Sequence, residues 1–152
     1  MDEELQRSFR HAITRLLSRR EHSREEIISK LKHKGLCESL EHEAVLTQML
    51  DRFADKDIQS DCRYAQAFVR SAFEKGKGPG FIEQSLAQHN IDAAYVRQCI
   101  NEEEFDWFDL AAKVRIKRFG EAMPSDWHDI QKQKRFLQYR GFLQAHISEL
   151  FS

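Results

Sequence analysis

A chain of 152 residues, 41% hydrophobic and 32% charged, holds enough apolar side chain for one core or for a short array of units that lean on one another. Six Gly and two Pro are too few for the turns of a many-stranded β fold, no apolar run approaches the roughly 18 residues of a membrane span, and a net charge of −1 predicts by itself no taste for nucleic acid. The acidic start Met1-Asp2-Glu3-Glu4 has no secretory pattern and points to the cytoplasm, while Cys37, Cys62 and Cys99 are too far apart to suggest a disulfide framework or a zinc clip.

The first element places Leu5, Phe9, Ala12, Ile13, Leu16 and Leu17 at steps of three and four, the apolar stripe of an amphipathic helix that stops near Arg20. Ser23-Arg24-Glu25-Glu26 is a capping box that opens a second helix burying Ile27, Ile28 and Leu31. Gly35 closes it, with Leu36 folding back. A third helix carries Val45, Leu46, Met49, Leu50 and Phe53. The order then recurs: Tyr64, Phe68, Val69, Ala72 and Phe73; a Gly78-Pro79 start before Ile82 and Leu86; then Val96 and Ile100. A last cycle holds Trp107, Phe108, Ala111, Val114 and Phe119, followed by Ile130, Phe136 and Leu137.

Aligned on their caps, Leu31-x3-Gly35-Leu36, Leu86-x3-Asn90-Ile91 and Leu137-x3-Gly141-Phe142 mark a period of just over fifty residues. Self-similarity at that spacing predicts stacked supersecondary units, because one short helix trio cannot bury its apolar face alone. The expected fold is all-α: three tandem three-helix repeats, nine helices, in an elongated curved rod, with repeats at residues 1–56, 57–105 and 106–152.

Charge repeats with the helices. Residues 7–34 hold nine Lys or Arg against three acids, residues 37–61 two against seven, 62–80 four against one, 81–110 one against seven, and 111–140 eight against three. Stacked in register, such repeats would line up a basic stripe and an acidic one, although interspersed charge also serves solubility.

Catalytic patterns are missing. His33, Cys37 and His42 come nearest to a metal set, but Gly35 breaks the helical register between the first two and no fourth ligand follows. His11, His22 and His33 are evenly spaced in a basic stretch and read as solvated. Glu102-Glu103-Glu104 with Asp106 and Asp109 reads as a solvated helix start. Lys75-Gly76-Lys77-Gly78-Pro79-Gly80 lacks the preceding strand and residue order of a phosphate loop; its glycines are expected to end one helix and start the next, with Lys75 and Lys77 beside free amides. No nucleophile has a base partner. The expectation is a binding protein, not an enzyme, with no cofactor and no metal.

Three ordered motifs carry a resemblance. Arg20-Glu21-His22-Ser23-Arg24-Glu25-Glu26-Ile27 with Lys30-Leu31 and Lys34-Gly35 is the first. Asp61-Cys62-Arg63-Tyr64-Ala65-Gln66-Ala67-Phe68-Val69-Arg70 with Lys75-Gly76-Lys77-Gly78-Pro79 is the second, and Arg135-Phe136-Leu137-Gln138-Tyr139-Arg140-Gly141-Phe142 the third. Together they resemble the RecX family over nearly the whole chain. One departure is Phe53-Ala54-Asp55-Lys56-Asp57-Ile58, where many members have a glycine before a Tyr-Leu and an acidic pair.

The resemblance implies a cytoplasmic, non-enzymatic regulator of the RecA recombinase that lies along the filament groove and inhibits RecA's ATPase, strand-exchange and co-protease activities, in recombination, DNA repair and the SOS response. It implies a monomer with RecA filament as partner and weak binding to single- and double-stranded DNA. Charge and motif position nominate Arg63, Tyr64, Lys75 and Lys77, then Arg19, Arg20 and Arg24, then Arg115, Lys117, Arg118, Arg135 and Arg140, with Tyr64 also lying on an apolar stripe. Two other readings stay open: a helix-turn-helix DNA reader around Gly35 or Gly141, and a solenoid scaffold for another protein.

Overall fold

The structure, a computed structural model, describes residues 2–152. Among the described residues there are nine helices and no strands: α1 (Asp2–Leu17), α2 (Arg24–His33), α3 (Leu40–Asp55), α4 (Asp61–Glu74), α5 (Pro79–Ala87), α6 (Ala93–Glu103), α7 (Trp107–Phe119), α8 (Trp127–Tyr139) and α9 (Gln144–Leu150). None is long and apolar enough to cross a membrane.

The caps that set the sequence period close the second helix of each trio in the same way. Gly35, Asn90 and Gly141 take positive φ of 76°, 58° and 98°. After each, the apolar residue reaches back one turn: Leu36 N–H to Leu31 O at 3.0 Å, Ile91 N–H to Leu86 O at 3.3 Å and Phe142 N–H to Leu137 O at 3.1 Å. This is the Schellman pattern, which satisfies carbonyls the helix leaves orphaned. The anchoring leucines are fully buried, so each cap is welded to its core. At the end of α3, Asp57 takes the left-handed conformation at φ 59°, and Ile58 N–H reaches Phe53 O at 2.9 Å. The turn forms there without glycine because a short polar side chain tolerates this region.

Packing divides the chain within α4 into two compact units, one running to Ala67 and the other from Phe68 to Ser152. In the first, Phe9, Ile13 and Leu16 of α1 pack on Ile27, Leu31, Cys37, Leu46, Met49 and Leu50. Ser23 caps α2 by accepting from Glu26 N–H at 3.0 Å. His22, expected to be solvated, is 2% exposed. Its Nδ1 lies 3.0 Å from Arg20 O and its Nε2 3.1 Å from Lys30 Nζ, and Gln59 donates to its carbonyl at 3.2 Å. The ammonium can only donate, so His22 is neutral, with its proton on Nδ1. Spacing along a basic helix start gave no sign that the segment before it folds inward.

In the second unit, Ala111, Leu137, Phe142 and Ile147 form a core flanked by Trp107, Leu110, Val114, Leu150 and Phe151. Gly78 is the N-cap of α5 and Pro79 its first residue, as the Gly-Pro start predicts. Asp106 caps α7, accepting from Asp109 N–H at 3.0 Å, and Glu103 pairs with Arg70 at 2.6 Å, which accounts for part of the acidic run.

Candidate functional site

Helical spacing builds a basic concavity in the second unit. Leu110, Lys113, Val114, Lys117 and Arg118 recur at three and four along α7 and form one wall. Phe136 and Arg140, four apart at the end of α8, form another, and Glu74, Lys75 and Gly76 at the end of α4 complete a cleft of about 550 Å³. Five cations and one carboxylate line it.

The second and third motifs meet here. Gly76 has a φ of +77°, which ends α4 and turns its last carbonyls toward α8. The Arg140 guanidinium donates to Lys75 O at 2.7 Å and to Gly76 O at 3.1 Å. In return, Gly78 N–H donates to Arg140 O at 2.9 Å and Gly80 N–H to Gly141 O at 2.8 Å. A Cβ on Gly76 would stand 2.9 Å from Arg140 Nη2 and Val114 Cγ2. The glycine-rich run therefore does more than end one helix and start the next: it lets two backbones touch. Sequence spacing could not show this, because Lys75 and Arg140 are 65 residues apart.

Cations in the cleft are held in different ways. Arg118 lies 5.6 Å from the Phe136 ring centroid and Arg140 5.9 Å, so two guanidiniums share one aromatic ring. Lys113 is drawn to Asp109 at 2.8 Å, and that hydrogen bond holds its ammonium pKa above the ordinary lysine value. Lys77 lies outside the lining, 4.8 Å from the Phe81 ring centroid, with its pKa lowered by burial first and then by Arg140 and Lys75. Lys75, Lys117 and Arg118 are exposed.

Of the residues nominated from sequence, the cleft gathers Lys75, Lys117, Arg118 and Arg140, and adds Lys113. It omits Arg115, which is corrected: at 3% exposure its guanidinium faces inward, to Gln133 Oε1 at 3.2 Å and Glu121 O at 3.1 Å, and ties α7 to α8 and the intervening loop. A residue so enclosed is not a surface contact. Arg135 is exposed on α8 but lines no part of the cleft.

In the first unit the nominated residues do mostly internal work. Arg63 donates to Glu21 Oε1 and Asp57 Oδ1, both at 2.9 Å, and to the carbonyls of Asp57 and Ile58. It secures the turn at Asp57. Arg20 pairs with Glu26 at 2.5 Å and Arg24 with Asp51 at 2.8 Å. Tyr64 is 7% exposed and belongs to the core, the alternative its apolar stripe had raised. Arg19 is exposed. Among the described residues, no three His, Cys, Asp or Glu side chains gather in a metal-binding group.

The family model of the RecX second three-helix domain matches residues 60–100, and that of the third three-helix domain residues 104–151. The chain is 37% identical to a protein named regulatory protein RecX from Halorhodospira halophila over 92% of this chain and 84% of that one. It is 39% identical to its namesake from Acinetobacter baylyi over 84% and 76% of the two chains. A crystal structure of RecX from Lactobacillus salivarius superposes with a TM-score of 0.74 at 20% identity, covering 99% of this chain and 96% of that one. A second, of regulatory protein RecX, gives a TM-score of 0.78 at 22% identity over 95% and 72% of the two chains. With both later trios matched in order and relatives aligned over most of its length, the chain belongs to the RecX family of regulatory proteins.

Proposed function

We propose that this chain binds the RecA nucleoprotein filament and inhibits its ATPase, strand-exchange and co-protease activities without catalysing a reaction of its own. The observation that carries the reading is the cleft in the second unit, where Lys75, Lys113, Lys117, Arg118 and Arg140 converge around Phe136 with Glu74 as the one carboxylate. A filament groove presents DNA phosphates and protein surface together. Such a cleft suits either, through charge that reaches phosphate and an aromatic ring already covered by guanidiniums. On this reading the chain acts as a monomer in the cytoplasm, its repeats are residues 1–56, 57–105 and 106–152, and any affinity for free single- or double-stranded DNA is weak and independent of sequence.

The test is the single-strand-DNA-dependent ATPase rate of RecA while this protein is titrated in, with DNA in excess. Inhibition well below one molecule per RecA is expected, and it should weaken at least tenfold in a Lys75→Glu, Lys117→Glu double variant of unchanged helical circular dichroism. An unaltered rate at doses that saturate the DNA would refute the reading. Tight preference for one duplex sequence over unrelated ones would instead favour the helix-turn-helix alternative.

A further inference from the structure

The first unit has a concavity of its own that no part of this functional reading uses. Ser8, His11, Ala12, Arg15 and Arg19 share one face through spacings of three and four residues, on the stripe of α1 and its exit that borders the buried Phe9-Ile13-Leu16 face. Lys34 and Leu36, at the end of α2, stand across from them, and Leu16 contributes to the floor. The groove encloses about 370 Å³, and no carboxylate lines it.

Its cations differ from their neighbours. Arg20, Arg24, Lys30 and Lys32 are each paired with a carboxylate: Glu26, Asp51, Glu26 and Glu43. Among the described residues, the side chains of Arg15, Arg19 and Lys34 form no ion pair and no hydrogen bond. Arg15 and Arg19 are also four apart, a spacing at which like charges repel. The nearby carbonyls that would oppose an anion are already satisfied: Ser18 Oγ donates to Arg15 O at 2.7 Å, Gly35 N–H to Lys32 O and Leu36 N–H to Leu31 O, both at 3.0 Å. Positive charge is thus concentrated around an apolar floor, with no carboxylate in the lining.

We infer that the groove formed by Arg15, Arg19, Lys34, His11 and Ser8 is a phosphate-binding site for a ligand carrying two neighbouring phosphate groups. Two guanidiniums supply planar forks that match phosphate oxygens, Lys34 supplies a point charge from the opposite wall, and Ser8 supplies a hydroxyl. The volume falls in the range of small-ligand sites, and Ala12, Leu16 and Leu36 offer apolar surface beside the charges. A nucleoside polyphosphate and a stretch of nucleic-acid backbone both present neighbouring phosphates, joined through one oxygen in the first and separated by a sugar in the second. The inference does not depend on RecA.

The experiment is a titration of the isotopically labelled full chain, followed by amide NMR, with inorganic pyrophosphate, with ATP and with a short oligothymidylate in separate arms. Saturable shifts at Ser8, His11, Arg15, Lys34 and Leu36 are expected, with affinity reduced at least tenfold in Arg15→Glu, Arg19→Glu and in Lys34→Glu made separately in case the double variant unfolds. Response to pyrophosphate and ATP identifies a free polyphosphate as ligand, and response to the oligonucleotide alone identifies the strand backbone. No saturable shift in any arm, or shifts that persist in the variants, overturns the site. Lys75→Glu, Lys117→Glu should leave these shifts intact, so failure of the groove and failure of the RecA reading are separate results.

Discussion

Gly78 and Gly141 meet backbone to backbone: a Cβ built on Gly78 would stand 2.5 Å from both the Gly141 carbonyl oxygen and the Phe142 nitrogen. Gly78 has an ordinary φ of −83°, so conformation alone would admit any residue there and contact is what demands glycine. Gly141 carries both constraints, with φ +98° and its missing Cβ directed at Phe81. Through this approach the loop after α4 and the end of α8 fix the two rims of the basic cleft.

Gly78→Ala should therefore cost about 2–4 kcal/mol, since backbone on both sides must move. Gly35→Ala, at φ +76° with only the flexible Glu38 carboxylate at 3.5 Å, should cost about 1 kcal/mol from conformation alone. Urea unfolding of the two variants checks the order; equal losses would show that the contact at Gly78 relaxes easily.

Arg115 and Lys117 lie two residues apart on α7 and should behave oppositely. Arg115→Ala leaves Gln133 Oε1 and the Glu121 carbonyl without their donor, a loss of about 2–4 kcal/mol. Exposed Lys117→Glu should change stability by under about 0.5 kcal/mol. Denaturant midpoints decide this, and a stable Arg115→Ala would return that residue to the list of surface contacts.

Arg140→Lys should loosen the cleft without changing its charge. An ammonium cannot fork to Lys75 O and Gly76 O as the guanidinium does, so about 1–2 kcal/mol of stability is lost. Hydrogen exchange at the amides of residues 76–80 should quicken; unchanged exchange would show that the glycine contacts alone hold the loop.

Acid should weaken both units through buried histidines. Burial lowers the pKa of His22, outweighing the hydrogen bond to the Arg20 carbonyl and the Glu26 charge that raise it, with the Arg20 and Lys30 charges adding to the lowering; burial also lowers that of His146, whose Nδ1 accepts from Leu143 N–H at 3.2 Å. Each native state favours the neutral ring, so the unfolded chain takes up protons first as the pH falls. Stability is then full above the ordinary histidine value of about 6.5, declines as pH drops through it, and levels off below the lowered native values. Unfolding midpoints at pH 7.5 and 5 should differ, and His22→Gln should shrink that difference. An unchanged difference in the variant would remove His22 as a source.

Much of this architecture was legible in the chain. The apolar stripes, the Gly78-Pro79 start and the three Leu-x3-Gly/Asn-apolar caps are local signals, because helix periodicity and left-handed caps act within one or two turns. The caps supplied the repeat, and the repeat supplied nine helices and the basic and acidic segments. Motif order supplied the family.

Tertiary packing decided what each charged side chain does. Arg115 and Lys117 look alike in the sequence, yet one faces Gln133 and the other water. Arg63 and Arg20 look available, yet their partners Glu21, Asp57 and Glu26 hold them. His22 turns inward through Lys30, eight residues away, and the cleft exists because Arg140 folds onto Lys75 across 65 residues. Periodicity reports which face of a helix is apolar. Which cation finds a carboxylate, and which is left for a ligand, depends on the helices that pack beside it.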